Sequence, residues 1–294
     1  LASLKGAKVT VYEHNDVCHL ESLLMASTKQ RKLVVTDALF SVDGDFAPLR
    51  EIASLKRRLG KDSFLFVIDE AHATLVCGKT GGGAAEMLLK DTQTENDSED
   101  LSHLVDVHVG TLSKAFGSHG GFACCSRSLK SLLLSSSRTQ IFSTALPAPC
   151  VAAATEALRV AGGHEGVTHG ESGKNVDEGS LLRARLWRHV ERLRDGLVRG
   201  DGGRHTTKPL LHGGRVLNDV VSSPIACVAY GSEEHALKAS AALLRLYGLH
   251  APAIRPPTVP LGTSRVRLAL SAAHSDEDID ALVEALTTIA EPRL

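Results

Sequence analysis

The chain has 294 residues, 33 lysines and arginines against 34 aspartates and glutamates, and 43% hydrophobic residues. This supplies enough apolar surface for one large folded domain or two moderate ones, and excludes disorder, collagen and coiled coil. A net charge of -1 argues against nucleic-acid binding, which needs a basic excess, and no apolar run approaches membrane-spanning length.

Read in chain order, the first two thirds alternate β-rich runs with helical patterns. Val9 to Tyr12, Leu33 to Val35, Phe64 to Ile68, Val105 to Val109 and Gly121 to Cys125 are predicted as buried strands. Ala47 to Leu59 sets Leu49, Ile52, Ala53 and Leu59 near one helical face, with Pro48 in its first turn and Gly60 at its end. Leu129 to Leu134 and the Ala-rich Pro149 to Ala161 are further helices. This alternation predicts an α/β domain over residues 1–161 with a mostly parallel sheet. From residue 181 the pattern changes to a charged helix over Leu181 to Val198, a strand over Ile225 to Tyr230 and a helix over Glu233 to Tyr247. A strand over Arg265 to Leu270 and a closing helix over Asp276 to Ala290 follow, so residues 181–294 predict a smaller C-terminal α+β domain. Asp91 to Asp100, Gly162 to Gly179 and Arg199 to Arg215 are polar or Gly-rich and read as surface insertions.

The six cysteines (Cys18, Cys77, Cys124, Cys125, Cys150, Cys227) contain no Cys-x-x-Cys pair. Neither a zinc ribbon nor a disulfide framework is expected, no metal site is assigned, and the compartment reads as reducing. Cys124-Cys125 reads as core packing plus an outward thiol, and Trp187 as a packing residue on a charged helix. The chain opens at Leu1 without a basic stretch, apolar core and cleavage site, and so reads as a fragment rather than a secretory precursor. Pro292-Arg293-Leu294 is a near relative of the Ser-Lys-Leu peroxisomal address, which gives an expectation of cytosol, peroxisome or both.

Directly after the strand Phe64 to Ile68 stands Asp69-Glu70-Ala71-His72, the letters of a helicase box, and close behind it Gly78-Lys79-Thr80. A P-loop needs Gly-x-x-x-x-Gly-Lys-Thr, but the first Gly position is Ala73. In nucleotide hydrolases the acidic box also lies on a different strand from the P-loop, whereas in this chain the two are continuous. Another chemistry uses the same acid. Ser41, Asp69, His72 and Thr111-Leu112-Ser113-Lys114 all follow the carboxyl ends of predicted parallel strands, where open α/β sheets place ligands. Pyridoxal 5'-phosphate (PLP) needs a lysine for its Schiff base, an acid for its pyridine nitrogen, and donors for its phenolic oxygen and phosphate. Lys114, Asp69, His72 and Thr111 supply these in turn.

The run Asp69-Glu70-Ala71-His72, then Gly110-Thr111-Leu112-Ser113-Lys114-Ala115-Phe116-Gly117, resembles the cofactor motifs of fold-type I PLP enzymes, specifically the α-oxoamine synthases. Thr36 to Asp45, Ile141-Phe142-Ser143-Thr144, Ala253 to Pro260 and Leu270 to His274 extend the resemblance over nearly the whole chain outside the insertions. They are most similar to the branch that condenses L-alanine with pimeloyl-CoA in biotin synthesis, and the Lys114 segment to its plant forms. The resemblance implies a fold-type I PLP-dependent transferase that forms 8-amino-7-oxononanoate, CoA and carbon dioxide. It implies Lys114 as Schiff-base lysine and general base and Asp69 on the pyridinium nitrogen. His72 and Ser41 fall on the phenolic oxygen and ring edge, and Thr111 on the phosphate. Arg255 would grip the amino-acid carboxylate and Thr258 would touch substrate, beside the stiff Pro256-Pro257 pair. Ser143-Thr144 matches a segment near the partner's cofactor, which implies a homodimer with shared active sites. The resemblance also places Leu1 after a family section that supplies a ring stacked on PLP, a phosphate-binding turn and part of the acyl-CoA tunnel. Ala73 stands where the family commonly has Gly. Sister enzymes using glycine or serine with other acyl-CoA donors, and a non-catalytic fragment or dimer partner, stay open as alternatives.

Overall fold

The computed structural model describes residues 6–90, 100–162, 177–201, 204–207, 210, 213–217 and 220–287. The chain divides into two compact units, one of residues 1–39 and 47–162, the other of residues 40–46 and 163–294. The division is thus not a single cut near residue 161, because the short segment 40–46 groups with the second unit.

The first unit is built on a four-stranded sheet in the order β1 (Leu33–Asp37), β2 (Leu65–Asp69), β3 (Val107–Thr111), β4 (Gly121–Cys125). The first two pairings are parallel and β3–β4 is antiparallel. One sheet face is buried, with Val34, Phe66 and Ile68 almost wholly covered, while Leu33, Val35 and Leu65 on the other face are exposed. Alternation of side chains along a strand explains this split. Helix α1 (Val17–Ala26) is capped by Asp16, whose carboxylate accepts the His19 N–H. Helix α2 (Leu49–Leu59) buries Leu49, Ile52, Ala53 and Leu55, each fully covered large side chain contributing roughly 1.5–3 kcal/mol. Its buried Lys56 donates to the Leu104 carbonyl at 3.0 Å and pairs with Asp106, so this buried cation is matched to an anion. Helices α3 (Arg127–Ser136) and α4 (Arg138–Phe142) bury no residue, and α5 (Ala148–Gly162) buries only Ala154 and Ala161.

The second unit holds α6 (Glu178–Leu197), a hairpin of β5 (Val198–Asp201) and β6 (Arg204–Thr207), then β7 (Arg215–Val216), β8 (Ile225–Gly231) and α7 (Glu233–Tyr247). It ends with β9 (Ala253–Ile254), β10 (Ser264–Ala269) and α8 (Asp276–Thr287). The strands form an antiparallel sheet ordered β7-β8-β10-β9. Val190, Leu193 and Leu197 of α6, Val228 of β8, Leu243 of α7, Val266 of β10 and Leu286 of α8 share one core, with Trp187 packed against it. The segment 40–46 is fastened to this unit. Arg265 donates to the Val42 carbonyl at 2.9 Å and to Asp43 at 2.7 Å, and Ser223 donates to the Gly44 carbonyl at 2.7 Å. Gly44 has φ +77 and a Cβ there would lie 2.2 Å from the Ile225 carbonyl oxygen, so this turn admits only glycine.

Several expectations need correction. Val9 to Tyr12 forms no strand, and Val9 and Val11 are exposed; β-branched residues do not make a strand without a neighbour to pair with. The third strand starts at Val107 rather than Val105, because Leu104 ends a 3-10 turn and the Asp106 carboxylate takes up the Phe66 N–H. The segment from Arg199 contains most of a β-hairpin rather than only loop. Cys124 is exposed and Cys125 half-buried, so this pair contributes little to the core, and all six thiols are free. Residues 91–99 and most of Gly162 to Gly179 lie outside the described residues, as do 288–290 of the last predicted helix and Pro292-Arg293-Leu294. Among the described residues no helix is long and apolar enough to cross a membrane.

Candidate active site

Parallel pairing brings three strand ends together in the first unit. Asp37 of β1 lies in register with Asp69 of β2, and Asp69 with Val109 of β3, two residues before Thr111. An Asp69 carboxylate oxygen accepts the Ala71 N–H at 2.8 Å, which opens the turn carrying His72. After β3 the chain bends through Ser113 and Lys114 and returns at Gly120, where Leu112 N–H donates to the Gly120 carbonyl at 2.9 Å. The two loops meet. Lys114 Nζ lies 2.8 Å from His72 Nε2, across 42 positions of sequence. The Thr111 hydroxyl lies 2.8 Å from the Ser113 hydroxyl and accepts the Ser113 N–H at 3.3 Å. Ser113 and Lys114 are exposed, so the group opens to solvent.

The structure therefore assembles Asp69, His72, Thr111 and Lys114 and adds Asp37, which lies within the Thr36 to Asp45 run without standing out in it as a site residue. Asp37 is half-buried, and its pKa is raised by burial first, then by the Asp69 carboxylate, against a smaller opposing pull from Lys114. The sequence signal for it is positional: an Asp closing the strand that neighbours the Asp69 strand.

Ser41, Arg255 and Thr258 belong to the second unit. The Ser41 carbonyl accepts from Arg267 Nε at 2.6 Å. Arg255 follows β9, is about half exposed, and pairs through Nη1 with Glu233 at 3.3 Å in the first turn of α7. The Thr258 N–H donates to the Arg255 carbonyl at 3.0 Å, closing a turn across the cis Pro256-Pro257 bond. Ser143 and Thr144, between α4 and α5, are exposed.

The nucleotide-like run is turned to another use. The Glu86 carboxylate receives the Thr80 N–H at 3.0 Å, the Thr80 hydroxyl at 2.9 Å and the Gly82 N–H at 2.7 Å. Donors that a P-loop would offer to phosphate bind the chain's own carboxylate instead.

The family model for aminotransferase class I and II matches residues 1–286. The 8-amino-7-oxononanoate synthase of Arabidopsis thaliana is 42% identical over 290 residues, which cover 98% of this chain and 50% of the relative. A serine palmitoyltransferase structure from Sphingomonas wittichii superposes with a TM-score of 0.76 at 26% identity, over 96% of this chain and 60% of that one. An SPT structure containing PLP superposes with a TM-score of 0.74 at 27% identity, over 95% of this chain and 60% of that one. The chain thus spans half the length of the Arabidopsis relative.

Proposed function

Because the chain belongs to the aminotransferase class I and II family, we propose that it acts in an α-oxoamine synthase of fold type I. The reaction is condensation of L-alanine with pimeloyl-CoA to 8-amino-7-oxononanoate, releasing CoA and carbon dioxide. The single observation that carries this reading is the Lys114–His72 contact at 2.8 Å at the ends of β2 and β3, beside two in-register carboxylates. The donor set suits PLP: an amine for its aldehyde, a carboxylate for its ring N–H, an imidazole for its phenolic oxygen, and the Thr111 and Ser113 hydroxyls for its phosphate. When bound, PLP supplies the electron sink for a carbanion at the amino-acid Cα.

The chain's own groups do the rest. Lys114 Nζ must lose a proton to act as nucleophile or base, and His72 Nε2, within hydrogen-bond reach, holds the protonated amine in place until it does. Asp69, fixed by the Ala71 N–H, offers a carboxylate to a cationic N–H. The resemblance to the α-oxoamine synthases assigns Ser41 to the cofactor ring and Arg255 and Thr258 to the substrate. Arg255 suits that task because an exposed guanidinium can exchange the Glu233 carboxylate for that of an amino acid. The same resemblance supports a homodimer, with Ser143 and Thr144 toward the second copy.

A second reading, serine as the amino acid, is supported by the serine palmitoyltransferase structures; the 42% identity to the plant relative favours alanine. The test is the visible spectrum of the purified protein with PLP, followed by borohydride reduction and peptide mass spectrometry. The expected result is a reduced pyridoxyl adduct on Lys114 that Lys114→Ala abolishes. Absence of the adduct would put the non-catalytic reading ahead. A spectral response to alanine but not to glycine or serine, and a mass-matched product with pimeloyl-CoA, would separate the sister reactions.

A further inference from the structure

Between Asp69 and His72 stands Glu70, whose side chain turns to the buried side of the sheet and is 3% exposed. Its backbone continues the pairing of β2 with β3, the Glu70 N–H donating to the Val109 carbonyl at 2.7 Å. Its carbonyl oxygen accepts the Ala73 N–H at 2.9 Å, the Thr74 N–H at 2.8 Å and the Thr74 hydroxyl at 2.9 Å, which closes the turn bearing His72. Its carboxylate accepts the Ala84 N–H at 2.8 Å and the Ala85 N–H at 3.0 Å, the first amides of the helical turn that runs on to Lys90. One residue thus grips both ends of the loop 70–85.

Two further features show that this loop is held rather than merely folded. Leu75 takes φ +66, a conformation that strains a non-glycine residue and persists only when the surroundings over-determine it. Gly83 has φ +106, and a Cβ there would lie 2.6 Å from the Glu70 carboxylate, so only glycine fits beside that group. A buried carboxylate is costly unless its oxygens are bonded, and both oxygens of Glu70 receive backbone amides.

We propose that Glu70 is a positioning residue for the site: by clasping Ala84 and Ala85 it fixes the turn from which His72 reaches Lys114. The inference rests on the reading of Lys114 as the working amine, but its test needs no cofactor. The rate at which an acylating reagent labels Lys114 is measured in the whole chain across pH by peptide mass spectrometry. Wild type is compared with Glu70→Gln, His72→Asn, the double variant, and Glu86→Gln, which loosens a second carboxylate just past the end of the same loop.

Freed from His72, Lys114 is expected to label about tenfold faster at fixed pH in Glu70→Gln and in His72→Asn, as loss of one charge-assisted hydrogen bond implies. The double variant should be no faster than either single one, and Glu86→Gln should match wild type. A wild-type rate in Glu70→Gln, or additive effects in the double variant, would overturn the proposal. Should Glu70→Gln fail to fold, Gly83→Ala displaces the intact carboxylate and must give the same acceleration. If wild type forms no PLP adduct but Glu70→Gln still accelerates labelling, the cofactor reading falls and the positioning role stands. An adduct in wild type with an unchanged rate in Glu70→Gln removes the positioning role alone.

Discussion

The Lys114 amine and the His72 imidazole lie 2.8 Å apart, within hydrogen-bond distance, although the two residues are 42 positions apart in sequence. Each was legible in its motif, Lys114 in the Gly110-to-Gly117 run and His72 in the Asp69-to-His72 run. Their contact was not, because it depends on how two loops bend after leaving adjacent strands. Asp37 shows the converse. Its identity is plain in the sequence, but its place in register with Asp69 is not, and burial first and then that neighbouring carboxylate raise its pKa. The sign of the effect can be worked out. A carboxyl with a raised pKa in the folded state binds its proton more tightly than in the unfolded chain, so its contribution is complete below pH 3.8 and is lost as pH rises through the folded value. Asp37→Asn should therefore melt higher than wild type at neutral pH, by about 1 °C after discounting for solvent at a half-buried group. That gain should vanish on acidification, and thermal melts across pH read it. An equal gain at every pH would show that ionisation of Asp37 carries no cost.

At the scale of elements, alternation and capping made most of the helices and strands readable, as α2 illustrates. Its buried positions are spaced for one face and Gly60, φ +103, ends it. Val9 to Tyr12 shares the composition of a strand but finds no strand to pair with among the described residues, and α1 went unread because its apolar face is short and mostly uncovered. Neighbouring elements also decide what one position can hold. Gly110 of β3 pairs with Phe122 of β4, and a Cβ at 110 would lie 2.2 Å from the Phe122 ring, which itself packs edge-on to Phe116 at 6.1 Å. Gly110→Ala should cost about 1–3 kcal/mol through forced displacement of that ring, measurable by denaturant unfolding. A stability loss within error of zero would mean that Phe122 moves freely.

For the molecule as a whole, the chain order does not match the compact units. Residues 40–46 leave the first unit two residues after β1 and are held by the second, through Arg265 on Val42 and Asp43, Arg267 on Ser41, and Ser223 on Gly44. Arg265→Ala removes the buried partner of Asp43 and is expected to cost about 3 kcal/mol. Amide hydrogen exchange at residues 40–46 should accelerate at least about tenfold while the β1 amides stay protected. Equal acceleration in both would show that Arg265 supports more than this segment.

Periodicity, capping residues and the Asp69-to-His72 and Gly110-to-Gly117 runs determined the α/β class, the later α+β portion and four members of the candidate site. These are local properties, written in spacings of two to four residues and in short motifs. Strand order, the pairing of Asp37 with Asp69, the reach of Lys114 to His72, the clasp of Glu70 on Ala84 and Ala85, and the membership of residues 40–46 were decided only in three dimensions. Each of these joins groups far apart in the chain, and such contacts are chosen by packing and hydrogen-bond satisfaction in the folded state, which spacing along a sequence does not encode.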